Sequence, residues 1–427
     1  MVGPLLLMLS CTVASSSAIN RTRTEPGAAV AWRLALSSRL IITRRRCSTS
    51  KVAPSGSSGS STLNWLLSPS SKPAARAPVA NFITGEGLPN PTPKITQNWG
   101  ELPAGRTWGT SAGIDIDPKD GHVWAYERCA AGTAGGGPVD CDNNPVDPVF
   151  KFDRHTGKVL ANIGKGVMVT PHGIHLDKDG NVWVADFANN KEGTKGQQVH
   201  KFSPKGEKLL SLGIAGKPGN ADGQFNQPND VVTGPDGSIY VSDGHDAQGM
   251  ITAAQVAEGL KNGATSRISK FSPDGKFIKS WGKIGTKHGE FRTPHAMVFD
   301  SRGRLWVADR GNHRLEIFDQ DGKYLESRYS YGRISGFFIK NNVVYAIDSE
   351  SSPLNHPNWR NGVRIGPLDE DRITGFVGPF EREDRVYQGT AGEGVAVDAE
   401  GNIYAAEGPN SIRQAGGAFT KYSVKLR

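Results

Sequence analysis

Cysteine, long apolar runs and net charge over most of the chain are all in short supply. Of the four cysteines, Cys11 and Cys47 fall near the start, and no Cys/His spacing matches a zinc finger. Cys129 and Cys141 flank a Gly-rich loop. They either close a short disulfide in an oxidising compartment or stay as thiols in a reducing one. Nothing has the periodicity of a coiled coil. Apart from Pro4–Cys11, no segment is apolar enough to cross a membrane, and that run is too short to span a bilayer as a stable helix. The formal charge of +8 is unevenly spread. Residues 1–80 hold ten Lys/Arg against Glu25 alone, a net +9, which leaves the rest of the chain at −1. The basic balance of the whole chain therefore says little about partners, and the remainder has no excess of charge for a nucleic acid.

Residues 1–85 read as a leader and linker. The apolar run followed by small residues up to Ala18 has the shape of an export signal, which makes the mature protein secreted or extracytoplasmic. It lacks a basic n-region, and the Arg- and Ser-rich stretch from Arg21 to Arg76 fits an organellar transit peptide as the alternative. A start placed too far upstream is a third reading. Ser55–Ser71 has a linker composition that cannot bury a core.

From residue 86 the chain repeats. Six segments align, beginning at Ser111, Pro171, Pro228, Pro294, Ile334 and Gly392. Most read as an alternating apolar run, a D-x-x-G type turn and a second run ending in an acid, as in Pro171–Asp186, PHGIHLDKDGNVWVAD. A second hairpin follows most of them, as in VHKFSPKGEKLLSLG after Gln198. Four strands per unit predict an all-β, six-bladed β-propeller whose repeats resemble the NHL type. The last unit ends after a third strand near Lys421. Lys94–Gly100, KITQNWG, resembles the fourth-strand text Phe277–Gly282, so the ring is expected to close with an N-terminal strand.

In such a ring the residue after the blade-signature proline stands at the rim of the central channel. That position reads Ala112, His172, Asn229, His295, Ser335 and Glu393. His172, His295 and Glu393 fall on alternate blades and can converge on the axis. Two imidazoles and a carboxylate with open positions suit a divalent first-row metal, zinc being the natural choice. The position after the second strand reads Arg128, Phe187, His245, Arg310, Ser349 and Gly408. Arg128 and Arg310 suit a substrate carboxylate, and His245 is the candidate general base. Each also has a plain structural reading, a salt bridge to an acid such as Glu127 or Asp309 for the arginines and a loop imidazole for His245.

From Gly100 onward the chain resembles peptidyl-α-hydroxyglycine α-amidating lyase, the lyase domain of peptide-amidating enzymes. The resemblance implies a zinc held by proline-histidine pairs, two arginines and a tyrosine. Pro171-His172 and Pro294-His295 match two ligand pairs, and Arg128 and Arg310 match the arginines. The third ligand position holds Glu393, the tyrosine after S-D-G is His245, and the acid associated with a structural calcium is Gly394. The resemblance therefore implies a C–N lyase that cleaves a carbinolamide to an amide and a glyoxylate-like aldehyde acid, without carrying the calcium over. Its substrate would be a small molecule or peptide with a carboxylate. Two alternatives stay open: a gluconolactonase-type metal-dependent hydrolase, and a non-catalytic propeller that binds a protein partner. The stretch Ala247–Ala264 after His245 has helical spacing and reads as a lid, a docking surface or a decorated loop.

Overall fold

The computed structural model describes residues 80–106, 108, 110–129, 141–379, 392–406 and 419–424. The leader before residue 80 lies outside the described residues, as does Gly408. Among the described residues, six four-stranded antiparallel sheets are formed by strands from Lys94 onward. Blade one runs from Ile114–Ile116 to Val159–Ile163, and blade two from Pro171–Leu176 to Lys208–Leu212. Blade three runs from Pro228–Thr233 to Phe277–Trp281, blade four from Pro294–Phe299 to Tyr324–Arg328, and blade five from Ile334–Lys340 to Gly375–Val377. Blade six takes Gly394–Val397, Ile403–Ala406 and Phe419–Ser423 from the end of the chain and Lys94–Gln97 from its start. These last two pair antiparallel, with Lys94 opposite Ser423 and Gln97 opposite Thr420, so the ring is closed as the sequence predicts. Residues before the expected boundary are also engaged: the Arg364 side chain donates to the carbonyls of Phe82 and Ile83 on blade five.

Each D-x-x-G turn fixes its own hairpin and the core behind it. Asp177 accepts the backbone N–H groups of Asp179 and Asn181, and its other oxygen takes the indole N–H of buried Trp183 at 3.1 Å. Asp117 with Trp124 and Asp300 with Trp306 repeat the bond. A large apolar ring is thereby buried without orphaning its N–H. Lys151 and Lys201 lie over the indoles of Trp124 and Trp183, adding a cation–π contact to each.

The acid that closes a second strand has a different task. Asp186 accepts the N–H of Thr170 at 2.7 Å, Asp243 that of Asn226, Asp309 that of Arg292 and Asp348 that of Arg333. These carboxylates brace the turn that enters the first strand of the same blade. Immediately after it the ladder slips, between Pro171 and Ile174, Pro228 and Asp230, Pro294 and Ala296, and Ile334 and Gly336. A bulge there turns the rim residue out of the sheet and toward the axis. The helix expected after His245 forms at Ala253–Lys261, behind a short turn at His245–Gly249.

Candidate metal centre

The braces and bulges put His172 and His295 at the rim of the channel, with ring centroids 4.8 Å apart. His245 reaches them from the end of the second strand of blade three, 5.2 Å from His172 and 5.4 Å from His295. Each of the three offers a ring nitrogen within 4.8 Å of the others. His245 stands in this group as a third imidazole; Glu393 lines the same channel but is not a member of it. Phe187 covers one side, 5.5 Å from His172 and 4.9 Å from His245.

Two of the imidazoles are oriented by backbone. His172 Nδ1 donates to the Asn229 carbonyl at 2.9 Å and His295 Nδ1 to the Ser335 carbonyl, which leaves each Nε2 with its lone pair. Such bonds fix tautomer and ring angle as they do around bound metals. The His295 Nε2 is buried with no hydrogen-bond partner. Burial pushes the His172 and His295 imidazoles well below the usual range, helped by His245 and Arg128 for the first and by Arg310 and His172 for the second. Burial lowers His245 too, against the pull of Asp246. Three neutral imidazoles with converging nitrogens are a donor set that fits zinc or a similar divalent ion.

The guanidinium groups stand around this cluster. Arg128 Nε donates to the Pro171 carbonyl at 3.0 Å, beside the start of the His172 strand. The Arg310 side chain is fully buried and its Nη2 lies 3.1 Å from His245 Nε2. Its acidic neighbour is Glu350, at 3.5 Å; the acids the sequence offers the two arginines pair elsewhere, Asp309 with Arg314 and Glu127 with Arg106. Burial and Glu350 raise the Glu393 carboxyl, against the pull of Arg310 and Arg128. Burial works to raise Glu350 as well, but Arg310 and Arg333 outweigh it and hold this carboxyl low.

Glu350 and Arg333 are not legible in the repeat alignment. Blade five carries no D-x-x-G turn and its rim and strand-end positions hold Ser335 and Ser349, which bond each other at 2.7 Å. Glu350 sits one residue outside the strand-end position and Arg333 two residues before the rim position. Cys129 and Cys141 are joined in a disulfide directly beside Arg128.

The channel holds a cavity of about 700 Å³ that runs from His172, His295 and Glu393 to the turns on the opposite face, lined by residues such as Ile174, Asp230, Met297 and Phe337. No helix among the described residues is long and apolar enough to cross a membrane.

The NHL repeat family model matches residues 291–318. The peptidyl-glycine alpha-amidating monooxygenase of Mus musculus is 32% identical over 278 residues, covering 57% of this chain and 25% of that protein. NHL repeat-containing protein 3 of Homo sapiens is 34% identical over 223 residues, covering 51% of this chain and 54% of that protein. A probable peptidyl-alpha-hydroxyglycine alpha-amidating lyase of Caenorhabditis elegans is 26% identical over 236 residues, covering 54% and 58%. The chain thus spans about a quarter of the monooxygenase and a little over half of the other two. Among solved structures, a gluconolactonase from Xanthomonas campestris aligns at 14% identity with a TM-score of 0.47, over 77% of this chain and 89% of that one. The chain is an NHL-repeat β-propeller related, at about 30% identity over half its length, to the lyase domain of the peptide-amidating enzymes.

Proposed function

We propose that the protein is a metal-dependent carbon–nitrogen lyase that cleaves a carbinolamide into an amide and a glyoxylate-like aldehyde acid. The observation that carries this is the buried cluster of His172, His245 and His295, in a propeller related to amidating lyases. These three imidazoles would hold the ion, so His245 takes the ligand place that the rim alternation gives to Glu393. A divalent ion bound there supplies Lewis acidity and lowers the pKa of an oxygen it ligates.

The chain's own groups account for the rest. Arg128, held by the Pro171 carbonyl, pairs with the substrate carboxylate, and Arg310, buried between His245 and Glu350, adds positive charge beside it. Glu393, whose carboxyl is raised by burial and by Glu350, accepts the hydroxyl proton at its carboxylate oxygen. As the C–N bond breaks, the carbon and its oxygen become the aldehyde. The departing amide nitrogen keeps the bonding pair and takes a proton, so no net proton is consumed. Phe187 packs against His172 and His245 and covers that side of the imidazoles. The disulfide and the relation to amidating enzymes agree with an extracytoplasmic site of action. The assay is glyoxylate release from a peptidyl-α-hydroxyglycine. Turnover that falls at least a hundredfold in His172→Ala is the expected result, and equal turnover in that variant would count against the scheme.

A further inference from the structure

The His245 imidazole faces Arg310. The Arg310 Nη2 donates to His245 Nε2 at 3.1 Å, which uses the in-plane lone pair of that nitrogen. A ring nitrogen has one such pair. It cannot receive an N–H and bind a cation together, and a guanidinium beside a divalent ion is repelled as well.

Arg310 has somewhere else to go. Its Nε and Nη1 are buried without a hydrogen-bond partner, and Glu350 Oε1 lies 3.5 Å from Nη1, an ion pair not yet closed into a hydrogen bond. The Arg310 backbone is tied by its N–H to the Thr293 carbonyl at 3.0 Å, so adjustment is confined to the side chain. Glu350 is itself steadied from the far side by Arg333 Nη2 at 3.1 Å. Arg333 in turn bonds Gln248, on the turn that carries His245.

Resting on the reading of the three imidazoles as a metal centre, we propose that Glu350 is a positioning residue for that centre. Arg310 and the metal are alternative occupants of the His245 Nε2 lone pair, and Glu350 draws the displaced guanidinium aside when the ion binds. This role differs from simple charge balance. A carboxylate acting only through its charge would favour a cation with or without Arg310; a carboxylate that receives Arg310 matters only while Arg310 is there.

The test is a double-mutant cycle on zinc affinity, measured on the full chain by competition with a chromophoric chelator. The metal-free thermal midpoint of each variant is recorded as a folding control. Glu350→Gln should weaken zinc binding about tenfold or more, in the range seen for outer partners of metal ligands. Arg310→Gln should tighten it severalfold. Adding Glu350→Gln to Arg310→Gln should then change the affinity less than about twofold. Where Arg310→Gln does not fold, Arg310→Met removes the competing donor without leaving a buried polar group. Unchanged affinity in Glu350→Gln, or an equal loss from Glu350→Gln in both backgrounds, overturns the proposal while the metal centre stands. A wild-type chain that binds no zinc overturns both.

Discussion

Gly173 shows how closely a single residue controls the centre. A Cβ at this position would press on the Asn229 carbonyl oxygen and on Asp230 of the next blade. That carbonyl is the one that orients His172. Gly113, Gly336 and Gly394 make the same approach to the carbonyls of His172, Glu393 and Ala112. Gly173→Ala therefore forces blades two and three apart at the rim, an overpacking that costs about 1–3 kcal/mol. We expect a lower thermal midpoint together with weaker metal retention, measured by dialysis against chelator. A variant that loses stability but keeps the ion as tightly as wild type would show that the His172–Asn229 bond does not govern the site. At this scale the sequence is only partly legible. His172 and His295 stand out because they share one repeat position on alternate blades. His245 belongs to a different position, the end of a second strand, and the repeat alignment keeps the two layers apart. The length of an imidazole side chain brings them together.

Individual elements carry titratable groups far from the centre. His200, on Gln198–Phe202 of blade two, bonds Ser211 at 2.9 Å and is buried, which brings its imidazole down to about 4 from 6.5. Between these values the unfolded chain takes up a proton that the folded chain refuses. Its contribution is complete above pH 6.5 and is lost as pH falls toward 4, by up to about 3 kcal/mol. The buried Asp186 and Asp243 carboxyls are pushed up to about 7 and about 8 by burial, and they act in the opposite sense as pH rises. Comparing variants isolates one group. His200→Gln should lose less stability than wild type between pH 6.5 and pH 4 in urea titrations. Parallel curves for the two proteins would contradict the assignment. The hairpins themselves were readable because the Asp–Trp turn bond is a local sequence feature, repeated at fixed spacing. The Glu350–Arg333 pair was not, because blade five replaces the turn with Lys340-Asn341-Asn342 and breaks the pattern that would index it.

For the molecule as a whole, closure decides whether the ring is one cooperative body. Blade six receives its outermost strand, Lys94–Gln97, from the residues that precede blade one. Trp99 then packs between Phe152 of blade one and Tyr404 of blade six, which ties the join into the core. Deleting residues 94–97 exposes the edge of Phe419–Ser423 and invites edge-to-edge pairing. The deletion should lower the unfolding midpoint and make aggregation depend on protein concentration in light scattering; an unchanged midpoint and a monodisperse solution would contradict this role. The closure was legible because Lys94–Gly100 repeats the fourth-strand text, whereas the assembly of one centre from blades two, three and four depends on how far side chains reach into the axis.

Elemental analysis of the purified full chain asks whether His172, His245 and His295 form a metal centre. About one zinc or similar divalent ion per chain is expected, lost in a folded His172→Ala/His295→Ala variant. A folded, metal-replete wild-type protein with no stoichiometric ion, or a double variant that keeps it, would show that the three imidazoles are not a metal centre.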